Sequence, residues 1–187
     1  MIKLVEGFNK YITIAGFKDV HINKIDHILS SVRKMLNTAA IQFFDAKLIA
    51  GWEHLYFAAL NALKAFKNQT NISKSLAVEC LLYACAQRQI RVALGLIGIK
   101  QSSSEIAVLI ITDEKSAAEQ AFEEISRLVL GERDDAVLEL SDEKMVCIRR
   151  LFGISDTELA TKLEDYGEKE ALSDFVIEHI ALLVTQR

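Results

Sequence analysis

"IAVLIIT", residues Ile106–Thr112, is the stretch on which the fold turns. Its apolar, β-branched run reads as a buried central strand. Working outward, Asp113 is expected to cap a helix over Glu114–Leu130. In it, Ala117, Ala118, Ala121, Phe122, Ile125 and Leu128 form an apolar stripe, and Gly131 suits a left-handed turn at its end. "YITIAG" from Tyr11, "AIQFFDAKLI" from Ala40 and "AVLEL" from Ala136 read as further strands, giving four in all with their order open.

Helical periods are clear elsewhere. Ile25, Ile28, Leu29, Val32 and Leu36 recur at intervals of three and four. Ser155-Asp156-Thr157-Glu158 is a capping box, with Ile154 and Leu159 placed to form a hydrophobic staple. The segment "KLEDYGEKEALS" that follows lacks apolar periodicity and reads as a solvated loop. The final "LSDFVIEHIALLVTQR" has Ser173 or Asp174 as cap, then apolar residues around most of its circumference. It needs burial on more than one side, either in the core or partly against a partner.

A chain of 187 residues with 51% hydrophobic content suits one globular domain over 1–187. Its longest apolar runs fall far short of the roughly 20 residues that cross a bilayer, and "MIKLVEGFNK" lacks the apolar stretch of a signal peptide. A cytoplasmic protein is expected, with no membrane partner. Cys80, Cys85 and Cys147 are an odd set without a C-x-x-C pair, which speaks against a disulfide framework or zinc site. Charge is uneven along the chain. The first hundred residues sum to +7 and the remainder to −11, a pattern that points to a polyanion-binding face beside an acidic one.

Catalytic signatures are missing: no phosphate loop, dinucleotide fingerprint, zincin motif or nucleophile elbow occurs. His21, His27, His54 and His179 lack metal-ligand spacing. Glu53 and His54 adjoin Trp52 and Tyr56, but successive helix residues do not face one another, which argues against an acid/base pair. No enzyme, cofactor, metal or small-molecule substrate is expected.

The segment Gly51–Lys100 is the most informative. Trp52, Leu55, Ala59, Ala62, Leu63 and Phe66 line one helix; Asn71 or Ser73 can cap a second that runs through Cys85. Ile90, Ala93, Leu94 and Ile97 stripe a third, ending at Gly98. Gln87, Arg88, Gln89 and Arg91 fall at the junction of the last two, where backbone as well as side-chain groups are available to hold a flexible strand. Glu79, inside an apolar helix, needs either exposure or a partner such as Arg88 or Lys74.

"DAKLIAGWEHLYFAALNALKAF", "NISKSLAVECLLYACAQRQIRVALGLIGIK", "DDAVLELSDEKMVCIRRLFGIS" and "FVIEHIALL" together resemble the small kinase-binding subunit of the KEOPS complex, over roughly residues 40–184. The resemblance implies an α+β fold, a single mixed domain with a small, mainly antiparallel sheet packed with several helices. It implies a non-catalytic subunit that binds the N-lobe of a small atypical kinase/ATPase. It also implies recruitment of tRNA, by its single-stranded CCA 3′ end, to an assembly that makes threonylcarbamoyladenosine. On that basis Asn71, Lys74, Tyr83, Gln87, Arg88, Gln89 and Arg91 are candidates for the RNA-facing surface. Unpaired bases are held by stacking and edge contacts, and their phosphates by basic groups. Ile148, Leu151, Ile180 and Leu183 are candidates for the kinase face, though the same residues suit a core. Family members commonly carry Ser-Gly where this chain has Cys85-Ala86. Alanine tolerates a positive φ poorly, so the junction is at risk of closing. A protein-binding scaffold without RNA contact, and a stand-alone enzyme with an unrecognised site, are the alternatives.

Overall fold

The computed structural model describes residues 2–21, 39–162 and 167–185. The helix expected over Ile25–Leu36 lies outside them. The expected central strand is present as β4 (Ile106–Thr112), buried at every position. It lies between β2 (Lys10–Lys18) and β3 (Ala39–Asp45), and β1 (Ile2–Val5) pairs with the outer edge of β2, all antiparallel. A two-residue strand, β5 (Glu132–Arg133), pairs with the end of β2 at Phe17 and Lys18.

The reason β4 is apolar throughout is that both faces of the sheet are covered. Ala107, Leu109 and Ile111 point to one side with Ile12, Ile14 and Phe44; Ile106, Val108 and Ile110 point to the other with Ala15, Phe17, Ile41 and Phe43. Successive side chains of a strand alternate faces, so a strand between two packed layers loses the polar half of its pattern. The first layer holds α1 (Trp52–Lys67), α2 (Leu76–Ala84), α5 (Asp142–Phe152) and α7 (Glu168–Leu182). The second layer includes α4 (Lys115–Leu128), which contributes Ala121 and Ile125. The result is the expected α+β architecture with an antiparallel sheet.

Several local expectations are corrected. "AVLEL" is not a strand: Asp134 accepts from the Ala136 N–H and starts a 3-10 turn over Asp135–Leu138, with Leu138 buried. Asp113 does not cap α4; it pairs with Lys10, and Glu114 occupies the N-cap without a side-chain bond. Gly131 serves close approach and not a left-handed turn, since a Cβ there would lie 2.6 Å from the Lys18 carbonyl oxygen. The last helix starts well before Ser173, with Gly167 at its N-cap, and Ser173 instead donates to the Ala50 carbonyl at 3.2 Å. The supposed loop therefore contains the first turn of α7, with Ala171 and Leu172 fully buried; residues 163–166 of it lie outside the described set.

The capping box forms as read: Ser155 and Glu158 satisfy each other's backbone N–H groups at the start of α6 (Asp156–Ala160). Ile154 and Leu159 are both buried. Cys80 and Cys85 are buried and Cys147 is exposed. Burial pushes the Cys85 thiol up to about 12 and raises Cys80 as well, and the Cys85 Sγ donates to the Leu81 carbonyl at 3.2 Å.

Candidate nucleic-acid interface

The junction is built from the interior outward. His54, fully buried in α1, accepts from the Ala50 N–H on Nδ1 at 3.1 Å and donates from Nε2 to the Ala84 carbonyl at 2.6 Å. Both ring nitrogens are thus committed, and burial pulls its pKa down to about 4. An imidazole held neutral with both nitrogens occupied ties the start of α1 to the end of α2; it is not an acid/base group.

The α2 end then turns. The Ala86 N–H reaches the Tyr83 carbonyl at 2.9 Å and the Gln87 N–H reaches the Leu82 carbonyl at 3.0 Å. Ala86 has φ +49°, in the left-handed region that favours glycine. The turn expected to need glycine is therefore formed by an alanine, and Ala86 keeps the junction open at a conformational cost. Gln89 is the N-cap of α3 (Ile90–Ile97), and its side chain makes no capping bond.

At the other end of α2, Glu79 is fully buried, which corrects both the expected exposure and the expected pairing with Arg88 or Lys74. Its carboxylate accepts from the Ile72 N–H at 3.0 Å and the Ser73 N–H at 2.7 Å. Those bonds fold the Asn71–Ser75 loop back onto the helix. The N-cap is Ser75, not Asn71 or Ser73; Ser73 accepts from the Ser75 N–H at 3.1 Å, and Asn71 donates to the Ser73 carbonyl at 2.9 Å.

Tyr83 lies one helical turn beyond Glu79, where burial chiefly raises its pKa, Glu79 adds to that rise and Arg88 opposes it. Its hydroxyl is therefore within the fields of both Glu79 and Arg88. Yet Tyr83 is only 5% exposed and packs in the core, so its ring is not free to stack on a base. This corrects its expected place on the RNA-facing surface, since the ring is withdrawn into the core.

The structure thus groups the Asn71–Lys74 loop, the Tyr83 hydroxyl and Arg88 along one side of α2. Lys74, Arg88, Gln89 and Arg91 are exposed, Asn71 and Gln87 half-buried. Among the described residues, none of the Lys74, Arg88, Gln89 or Arg91 side chains takes a hydrogen bond or ion-pair partner. Beside them, α3 exposes Ile90, Val92 and Leu94, while Ala93 and Ile97 alone of that helix are buried. The stripe read from the sequence is split: half packs inward and half faces out. Exposed cationic and amide donors without a partner among the described residues, together with an exposed apolar strip, are the side-chain types that hold unpaired nucleotides.

The expected kinase face is also corrected. Ile148, Ile180 and Leu183 are completely buried in the core, and Leu151 is half-buried. Interior packing of α5 against α7 consumes them. The exposed apolar side chains of the same region are Val146, Leu182 and Val184. Their signal was the reverse of the one used: on helices apolar nearly all round, the position of each residue relative to the core, not its hydrophobicity, decides what a partner can reach.

The described residues thus form an antiparallel sheet with helices on both faces and set basic and amide side chains at the α2–α3 junction beside the exposed strip of α3. The chain belongs to the family described as kinase binding protein CGI-121, whose model matches residues 17–183. It is similar to the regulatory protein Cgi121 of Methanocaldococcus jannaschii, 32% identical over 142 residues, covering 76% of this chain and 81% of that one.

Proposed function

We propose that this chain is the kinase-binding subunit of a KEOPS assembly and that it delivers tRNA by gripping the unpaired CCA end at the α2–α3 junction, for threonylcarbamoyladenosine formation. The observation that carries this reading is the set of exposed donors at Lys74, Arg88, Gln89 and Arg91, which have no hydrogen-bond or ion-pair partner among the described residues and flank the two ends of α2. Arginine and lysine meet phosphates, and the glutamine amides meet base edges, each offering donor and acceptor together. The left-handed turn at Ala86 supports the reading, because the missing glycine was the main reason to expect a closed junction.

The kinase partner is the N-lobe of a small atypical kinase/ATPase, and its contact falls on the exposed apolar residues Val146, Leu182 and Val184, with Arg149 and Arg150 beside Val146. Exposed apolar anchors framed by charge are the usual design of such a surface.

Binding of intact tRNA is to be compared with tRNA lacking its CCA end, with and without the kinase. The reading expects CCA-dependent affinity that an Arg88→Ala, Gln89→Ala double variant reduces by about tenfold or more, with a shallower salt dependence. Unchanged affinity at low salt in a folded variant would defeat the RNA role. Kinase binding without any CCA dependence would leave a protein-binding scaffold.

A further inference from the structure

A second concave site lies away from the junction, between the β1–β2 edge of the sheet, the first turns of α1 and the 3-10 turn at Asp135–Leu138. It is a cavity of about 430 Å³, floored by Ile12 and Leu138 and walled by Trp52 and Tyr56. That volume falls within the usual range for a small-molecule site, as does the mix of apolar walls and a few charged groups. The two aromatic rings stand with centroids 5.7 Å apart, tilted by 57°.

A cation already lies on them. The Lys3 ammonium is 3.8 Å from the Trp52 ring centroid and 5.3 Å from that of Tyr56. Lys3 has no ion pair with another described residue, so the aromatic faces are its partner. Three carboxylates, those of Glu53, Asp135 and Glu139, also line the cavity, against the single Lys3 cation. Asp135 is committed, accepting from the Gly16 N–H at 3.0 Å and pairing with Arg133 at 2.9 Å. Glu53 and Glu139 have no ion-pair partner among the described residues. Glu139 lies in the field of the Lys144 ammonium, which donates to its backbone carbonyl at 2.9 Å. The cavity therefore combines a cation-binding aromatic face, two carboxylates without an ion pair among the described residues and a resident ammonium on a flexible four-carbon stem that can swing away.

We propose that this cavity binds a small organic cation carrying a quaternary or protonated ammonium group, which displaces Lys3 from the Trp52–Tyr56 face and lies against Glu53 and Glu139. An aromatic face attracts a weakly hydrated alkylammonium through the ring quadrupole, and the surplus negative charge of the lining adds to that attraction.

Trp52 is the chain's single tryptophan, so emission excited at the red edge, where the four tyrosines do not absorb, reports on this site. The test is titration of the full-length protein with choline, and with its uncharged isostere 3,3-dimethylbutan-1-ol, at ionic strength held constant with sodium chloride. The proposal expects a saturable change with choline and binding of the isostere weaker by about tenfold. Lys3→Met, which removes the resident ammonium, is expected to shift the starting emission and to tighten choline binding; Glu53→Gln with Glu139→Gln is expected to weaken it. Equal binding of choline and the isostere would overturn the proposal. So would the lack of a saturable response in both the wild-type protein and a folded Lys3→Met variant, or saturation by adenosine monophosphate in place of choline, which would make Lys3 the ligand-binding group. None of these residues belongs to the α2–α3 junction, so the outcome is independent of the tRNA reading.

Discussion

Replacing Ala86 by glycine tests the junction directly. A non-glycine residue in the left-handed region costs about 1–2 kcal/mol through crowding of its Cβ against the backbone. Ala86 sits there at φ +49°. Against the relief of that strain stand two smaller losses. Glycine loses about 0.4–1 kcal/mol more than alanine in chain entropy on folding. The half-buried Ala86 methyl, packed on the core, contributes some fraction of the roughly 0.8 kcal/mol of a fully buried methylene. Taken at their midpoints, these terms leave a stabilisation of about 0.5 kcal/mol. In urea this raises the midpoint by a few tenths of a molar, for a slope of about 2 kcal/mol/M that stays constant. Ala86→Val supplies the opposite arm, since a β-branched side chain at positive φ should cost about 1–3 kcal/mol. Because glycine follows the same backbone path, tRNA affinity should be preserved in Ala86→Gly. A glycine variant less stable than wild type by 1 kcal/mol or more, or a valine variant indistinguishable from it, would refute the left-handed turn and the account of the junction built on it.

Three further outcomes follow from the buried polar groups and the corrected partner surface. His54 has its pKa lowered to about 4 in the fold, against an ordinary value of 6.5. The unfolded chain takes up the proton first, so this group's contribution is whole above about pH 6.5 and is lost as pH falls towards 4, by about 3 kcal/mol. A stability–pH slope over that window that persists in a folded His54→Gln variant would assign the effect elsewhere. Glu79→Gln places amide N–H groups where the carboxylate accepted from Ile72 and Ser73, and is expected to cost about 2–3 kcal/mol. It should also speed hydrogen exchange at those two amides; unchanged protection there would contradict the loop anchor. Ile180→Glu, at a fully buried position, should unfold the protein, whereas Leu182→Glu, at a position 55% exposed, should leave it folded and release the kinase. Co-elution of folded Leu182→Glu with the kinase would remove that surface.

Much of the architecture was legible because particular residues carried strong local rules. The aliphatic run at Ile106–Thr112, the α4 stripe at Ala121 and Ile125 and the Ser155–Glu158 box were each read correctly from spacing alone. β1 escaped notice because four residues, half-exposed or exposed apart from Val5, carry too little pattern. "AVLEL" mimicked strand alternation, but the Asp134 side chain offered the backbone a competing local hydrogen bond and won. The first turn of α7 was hidden by Glu168, Lys169 and Glu170 lying before the buried Ala171 and Leu172. At the junction, polarity and position marked Arg88 and Gln89 as exposed, while Gln87 is half-buried. Burial of Tyr83 and of Ile148, Ile180 and Leu183 depends on which elements meet in three dimensions, which no local spacing encodes.

The distribution of the cysteines has a practical corollary. Cys80 and Cys85 are buried and their thiolates scarce, whereas Cys147 stands exposed on α5 next to Val146. Reaction rates of thiols follow both access and thiolate fraction. Brief maleimide treatment of the native, unmutated chain should therefore place one fluorophore at Cys147, on the helix that carries the proposed kinase contact Val146. A dye there would register the arrival of a kinase on that face, which lets the wild-type protein carry its own probe of the proposed contact.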